Sequence, residues 1–315
     1  MKIIQAPRAS AILYNLLRSQ DNPNPWLLPA NICPVVSLTF FKAGVPFEFV
    51  DISAKTLHMD LEQAEARLKR GAYGGLLYAH TYGEPSTPVE FFQSIKSKYP
   101  GLLLVDDRCL CVPDLEHPQS ISADMALYST GYAKIVELNF GGYAFMKDGT
   151  PYQPQNLSFH PQAYEKIESA YKQAILTREP FTYEDSNWLQ TEADLSTWYD
   201  YRQQIENGLK ASTQRRAELN TIYENHLPVE IQLPPAYQTW RFNLRVKNKE
   251  RVLKAIFSAG LFASSHYASL AGIMAPGQSP QAESLASEII NLFNDYHFNP
   301  QQAERVCMLI LENLH

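Results

Sequence analysis

Apolar positions along the first half of the chain recur with two periods. Between residues 8 and 19, Ala11, Leu13, Tyr14, Leu16 and Leu17 fall on one helical face, and Pro7 and Ser10 read as start signals. Residues 21–25, Asp-Asn-Pro-Asn-Pro, break the chain. Residues 26–29 predict a short strand, 34–43 a helix closed by Gly44, and 47–51 a second strand. A helix is predicted over 60–69, a strand over 75–79 and a helix over 88–98. The runs 102–105 and 125–128 are apolar without interruption, as expected of strands buried on both faces of a parallel sheet. Residues 143–146 add one more strand. Strands alternating with helices of this length predict βαβ units and a mostly parallel sheet.

The pattern changes in the second half. Residues 150–185 are rich in Pro, Tyr, Gln and Glu, with helical spacing only from about 163 to 177. Residues 195–226 predict a long polar helix that bridges two domains, with Arg215 and Arg216 solvated or interfacial. Residues 240–246 alternate as a strand, and helices are predicted near 249–259, 281–290 and 300–313. The expectation is an α/β fold: a mostly parallel central sheet with helices on both faces, plus a smaller C-terminal α+β domain. The division is placed between 1–205 and 206–315.

Composition narrows the function classes. A chain of 315 residues has room for about two domains. Hydrophobic residues make up 45% and charged ones 19%, the balance of a packed soluble protein. The net charge of −6, without a run of like charges, gives no nucleic-acid footprint. No segment approaches the roughly 20 consecutive apolar residues of a membrane span. The first residues lack the apolar region of a signal peptide. Cys33, Cys109, Cys111 and Cys307 are scattered and read as reduced thiols, so a cytoplasmic protein is expected.

Candidate chemistry gathers where the two apolar runs end. The first run continues into Asp106-Asp107, and the second leads into Ser129-Thr130-Gly131-Tyr132-Ala133-Lys134, closed by Gly141-Gly142. Ligands of open α/β sheets bind beyond the carboxyl ends of the strands, so an acid, hydroxyls and a lysine are expected in one crevice. That set suits pyridoxal phosphate: a Schiff-base lysine, an acid against the pyridinium nitrogen and hydroxyls for the phosphate. Alternation along an extended strand turns Asp106 away from the side that Asp107 faces.

These motifs resemble the sugar aminotransferases of the DegT/DnrJ/EryC1/StrS group, pyridoxal-phosphate enzymes of fold type I. The resemblance rests on seven ordered features. They include Val105-Asp106-Asp107, Ser129 five residues before Lys134, and Gly141-Gly142 after it. Gly44-Val45-Pro46-Phe47-Glu48-Phe49-Val50-Asp51 is another, followed by Thr56-Leu57 and Asp60. His80-Thr81-Tyr82-Gly83 and Ser265-His266-Tyr267 complete the set. The resemblance implies Lys134 as the residue that attaches the cofactor and shuttles a proton. It implies Asp107 on the ring nitrogen, and Ser129, Ser10 and Ala9 at the phosphate, where a helix N-terminus favours an anion. His266 and Tyr267 are expected near the substrate opening. Arg241 is either a reader of a substrate anion or a surface ion pair. The implied reaction moves an amino group from an amino acid such as glutamate onto a keto sugar, nucleotide-linked, in a homodimer.

The departures from the family pattern lie close to the expected site. Cys33 stands where an aromatic residue normally stacks on the cofactor ring, and His80 or Tyr82 is the candidate replacement. Leu110 replaces a Gln or His that bonds the cofactor's phenolic oxygen, and Phe140 falls in the family's Gly-Glu-Gly-Gly segment. The stretch before the first helix is shorter than usual. A second expectation follows: a degenerate member that binds cofactor or sugar nucleotide without turnover.

Overall fold

The computed structural model of the protein describes residues 1–116 and 121–314, so His315 lies outside the described residues. A strand, β1 (Lys2–Ala6), feeds directly into helix α1 (Ala9–Arg18). Alternation follows: β2 (Trp26–Pro29), α2 (Pro34–Ala43), β3 (Phe47–Val50), α3 (Leu61–Arg70), β4 (Gly75–Ala79), α4 (Val89–Lys98), β5 (Leu103–Asp107) and β6 (Met125–Ser129). β7 (Gly142–Met146) closes this half. The strands form one sheet in the order β1-β7-β6-β5-β4-β2-β3. β3, β2, β4, β5 and β6 run parallel, whereas β7 is antiparallel to both β6 and β1.

Local chemistry sets the helix ends. α2 begins with Pro34 and stops at Gly44, whose φ of 69° is the left-handed conformation of a helix C-terminus. Asp60 caps α3 by accepting from the N–H groups of Glu62 and Gln63, both at 3.0 Å. The inner strands β2 and β4 carry no polar side chain apart from the Tyr78 hydroxyl, because helices cover both faces. Alternation sends Leu27, Leu76 and Leu104 into the core with α3 and α4, and Leu28, Leu77 and Val105 into the core with α1 and α2. All six are fully buried, each contributing about 1.5–3 kcal/mol.

The second half contains α5 (Pro161–Thr177), α6 (Trp198–His226), β8 (Phe242–Arg245), α7 (Lys249–Ser258), β9 (Ala263–Ser264), α8 (Pro280–Glu288), β10 (Ile289–Leu292) and α9 (Pro300–Asn313). A second antiparallel sheet has the order β8-β10-β9. β1 and β10 were not anticipated. The helix expected over 281–290 ends at Glu288, because the β-branched pair Ile289-Ile290 is buried in the second sheet.

α6 is one unbroken helix across the division expected at 205/206. Tyr201 and Ile205 pack in the large core, and Leu219 and Tyr223 in the core around the second sheet. Arg215 is half-buried and paired with Glu218 at 2.7 Å. Arg216, expected to be solvated or interfacial, is not solvated but buried at 5% exposure. No described helix is long and apolar enough to cross a membrane.

Candidate active site

Strand register brings the predicted residues together. Asp107 lies opposite Leu127 across the β5–β6 pair, and Ser129 follows two residues later, so all three share one face. Ser129 in turn lies opposite Gly142 on β7. A Cβ at Gly142 would overlap the backbone nitrogen of Ala9, so only glycine lets the start of α1 press against the sheet here. No side chain caps that helix terminus, and its first turn carries no acidic residue. The N-terminal turn of α1 is thereby fixed beside the Ser129 hydroxyl.

A cavity of about 600 Å³ opens over this face. Asp107, Ser129, Lys134, Ser10, Ala9 and Cys33 all line it, as do His266 and Tyr267. The Lys134 amine makes no hydrogen bond or ion pair with a described residue. Its loop, by contrast, is tightly held. Ala133 takes a φ of 56°, a conformation that costs a non-glycine residue about 1–2 kcal/mol, and its N–H donates to Glu137 Oε2 at 2.9 Å. Thr130 Oγ1 donates to the Phe140 carbonyl at 2.6 Å and lies 2.6 Å from the Tyr201 hydroxyl.

Asp107 is 8% exposed, and its Oδ1 accepts from the Cys109 N–H at 3.0 Å. The thiols beside it are held neutral. Burial raises Cys109 well above its ordinary pKa, and the Asp107 charge adds to this against the opposing pull of Lys134. Burial likewise raises Cys33, again opposed by Lys134. Tyr267 stacks parallel to Trp240, with ring centroids 6.4 Å apart and planes 9° from parallel.

Three predicted residues are not at the cavity. His80 is buried behind the sheet: its Nε2 lies 2.7 Å from Asp106 Oδ1, and its Nδ1 lies 2.7 Å from the Glu84 carbonyl. Both neighbours are acceptors, so both ring nitrogens carry protons. Residue 80 belongs to the face of Asp106 rather than that of Asp107. Tyr82, the other candidate for ring stacking, is fully buried, and its hydroxyl supports His266 from behind by donating to its carbonyl at 2.8 Å. Arg241 is 2% exposed, ion-paired with Asp295 and placed over the Phe293 ring, so it is neither a surface pair nor a wall of the cavity. Leu110 does line the cavity, whereas Phe140 does not and lies 6.0 Å from the Tyr201 ring.

One wall was missed. Tyr164, Glu168, Tyr171 and Lys172 line the cavity from α5, with Glu168 and Lys172 paired at 3.3 Å and the Arg8 guanidinium 5.9 Å from the Tyr164 ring. Their spacing of four, seven and eight residues marks one helical face. That pattern was present in the sequence, but nothing in it said what the face covers.

Solved structures share this architecture. A DegT DnrJ EryC1 StrS aminotransferase from Brucella abortus superposes with a TM-score of 0.70 at 15% identity, covering 100% of this chain and 86% of that one. Helicobacter pylori PseC, an aminotransferase involved in the biosynthesis of pseudoaminic acid, gives 0.71 at 13% identity, covering 100% and 87%. The chain has the fold of these aminotransferases. Spr1654 from Streptococcus pneumoniae, a proposed sugar aminotransferase solved in a PLP form, gives 0.70 at 15% identity, covering 100% and 88%. No protein-family model matches the chain, and no curated protein matches it by sequence. In this aminotransferase fold the cavity lies at the carboxyl ends of the parallel strands, where α/β sheets bind their ligands.

Proposed function

We propose that the protein is a pyridoxal-phosphate aminotransferase that moves an amino group from an amino acid such as glutamate onto a keto sugar, nucleotide-linked. The observation that carries this reading is the unpartnered amine of Lys134 in one cavity with the buried carboxylate of Asp107 and the hydroxyls of Ser129 and Ser10. The donor set suits the cofactor part by part: an amine for the aldehyde, a carboxylate for the ring nitrogen, and hydroxyls with an uncapped helix N-terminus for the phosphate.

Pyridoxal phosphate, when bound, supplies an aldehyde and a ring that takes up electron density from a substrate carbon. Lys134 is the amine that would attach to it and, once released, the base that would carry a proton between the two carbons flanking the transferred nitrogen. Asp107 holds a proton on the ring nitrogen, and its burial keeps that interaction strong. Ser129, Ser10 and the first turn of α1 bind the phosphate. Tyr267 and Trp240 present apolar faces that exclude water. The α5 wall, with Tyr164, Tyr171 and Lys172, offers aromatic and cationic groups suited to a sugar bearing phosphate. A homodimer is the assembly this reading carries, and sedimentation analysis tests it.

The decisive experiment is absorbance of the purified chain mixed with pyridoxal phosphate. A new visible band, absent in Lys134→Ala, is expected, and a protein that takes up no cofactor overturns the reading.

Leu110 and Cys33 favour a second reading. Both line the cavity, and neither provides the polar bond or the aromatic face that the resemblance places there. A member that binds without turnover keeps an unchanged spectrum with every amino donor, including glutamate and amino sugars. A transferase loses the band as the donor's amine is taken up.

A further inference from the structure

Three consecutive carbonyls of the Lys134 loop are each held by a side chain from α6 or the strand region beside it. Trp240 Nε1 donates to the Ala133 carbonyl at 2.7 Å, Arg216 Nη2 to that of Lys134 at 3.2 Å, and Ser212 Oγ to that of Ile135 at 2.5 Å. The donors are themselves linked. Arg216 Nε donates to Ser212 Oγ at 3.0 Å, and Arg216 Nη1 donates to the Trp240 carbonyl and to Asn294 Oδ1. Such a connected, partly buried network restrains the loop, and a guanidinium fork fixes direction as well as distance. No other run of three successive carbonyls among the described residues is gripped this way in a loop that lines the cavity.

We propose that Arg216, Ser212 and Trp240 act as positioning residues for Lys134, a three-donor clamp that holds its backbone so that the amine meets the cofactor's aldehyde. The proposal rests on reading Lys134 as the attachment residue. The amine condenses with the aldehyde with loss of water, and the clamp favours the bonded state by removing backbone freedom from the free one.

The test uses the full chain loaded with pyridoxal phosphate. Borohydride reduces the C=N bond to a stable secondary amine, and peptide mass spectrometry then gives the fraction of Lys134 modified. Wild-type protein unmodified at Lys134 overturns the attachment reading itself, whatever the clamp does. With wild type modified, Ser212→Ala and Trp240→Phe are each expected to weaken covalent attachment about fivefold, the effect of one lost hydrogen bond. They are also expected to reduce the induced circular dichroism of the bound chromophore. Ser212→Thr, which keeps the hydroxyl, restores both. Arg215→Ala, one residue from the clamp on the same helix, changes neither. Variants that fold with wild-type attachment and dichroism overturn the clamp. Should a variant fail to fold, hydrogen exchange on the wild type decides: slow exchange at residues 133–138 supports the clamp, and exchange as fast as that of exposed loops overturns it.

Discussion

Asp106 and Asp107 follow one another on β5 and are almost equally buried, yet they face different surroundings. Asp106 is surrounded by partners: His80 at 2.7 Å, Thr87 at 3.1 Å and Arg108 at 3.3 Å. Asp107 accepts one backbone N–H on one oxygen and faces the cavity. Half a strand period separates a carboxylate built into the protein from one left open for a ligand. Burial alone therefore does not mark a functional acid. What distinguishes the two is how much of the group's bonding capacity the protein itself uses.

The strongest challenge to this comparison is a matched pair of amides. Asp106→Asn leaves a buried imidazolium without its counter-charge and is expected to cost about 3–5 kcal/mol in urea unfolding. Asp107→Asn should stay within about 1 kcal/mol of wild type in stability, while lowering transamination about a hundredfold or more. The reverse result would exchange the two roles.

A pH titration sharpens the same contrast. Burial disfavours the charged form of His80, but its hydrogen bond with Asp106 and neighbouring charges outweigh this and carry its pKa up to about 10. Burial pushes Asp106 up, and His80 with Arg108 outweighs it and holds the carboxyl below its ordinary value. A raised histidine contributes stability that is complete below its ordinary pKa of about 6.5 and is lost as pH rises through about 10. The depressed carboxyl contributes stability above its ordinary value and loses it as pH falls through the lowered one. These describe one interaction, counted once. Wild-type stability should fall between about pH 6.5 and 10, and Asp106→Asn should flatten that slope. An unchanged slope in the variant would place the titration elsewhere.

Smaller effects follow. Ser129→Ala is expected to weaken cofactor affinity about three- to tenfold in an absorbance titration, the effect of one hydrogen bond to an anion. His58→Leu should change stability by no more than about 1 kcal/mol. The His58 Nε2 is buried without a hydrogen bond, 3.7 Å from Glu84, so an apolar replacement removes an unsatisfied group along with the ring. A large loss there would mean that this nitrogen has a bonded partner.

Much of this was legible in the sequence. Uninterrupted apolar runs and their flanking helices marked the parallel strands, and the acids and hydroxyls at their ends marked the cavity. The opposite orientation of Asp106 and Asp107 followed from strand geometry. Depth was harder to read. Arg216 and Arg241 carry no local sign that Asn294 and Asp295, some 54 to 78 residues away, will pair with them in the interior. His80 stands one residue beyond the end of β4, and only when the alternation is carried one step past the strand does it fall with Tyr78 on the face of Asp106. The short strand β1 lacks the apolar run that revealed the inner strands, because it sits at the sheet's edge and pairs only with β7.

The length of α6 has a consequence for how the molecule comes apart. Its first turns are rooted under the large sheet and its last turns under the small one, without a break along its 29 residues. Freeing either layer means fraying the other's helix, so heat should melt the two layers in a single calorimetric transition rather than two. The carboxylate, the lysine and the donors that grip its loop would then disappear together, as one cooperative unit.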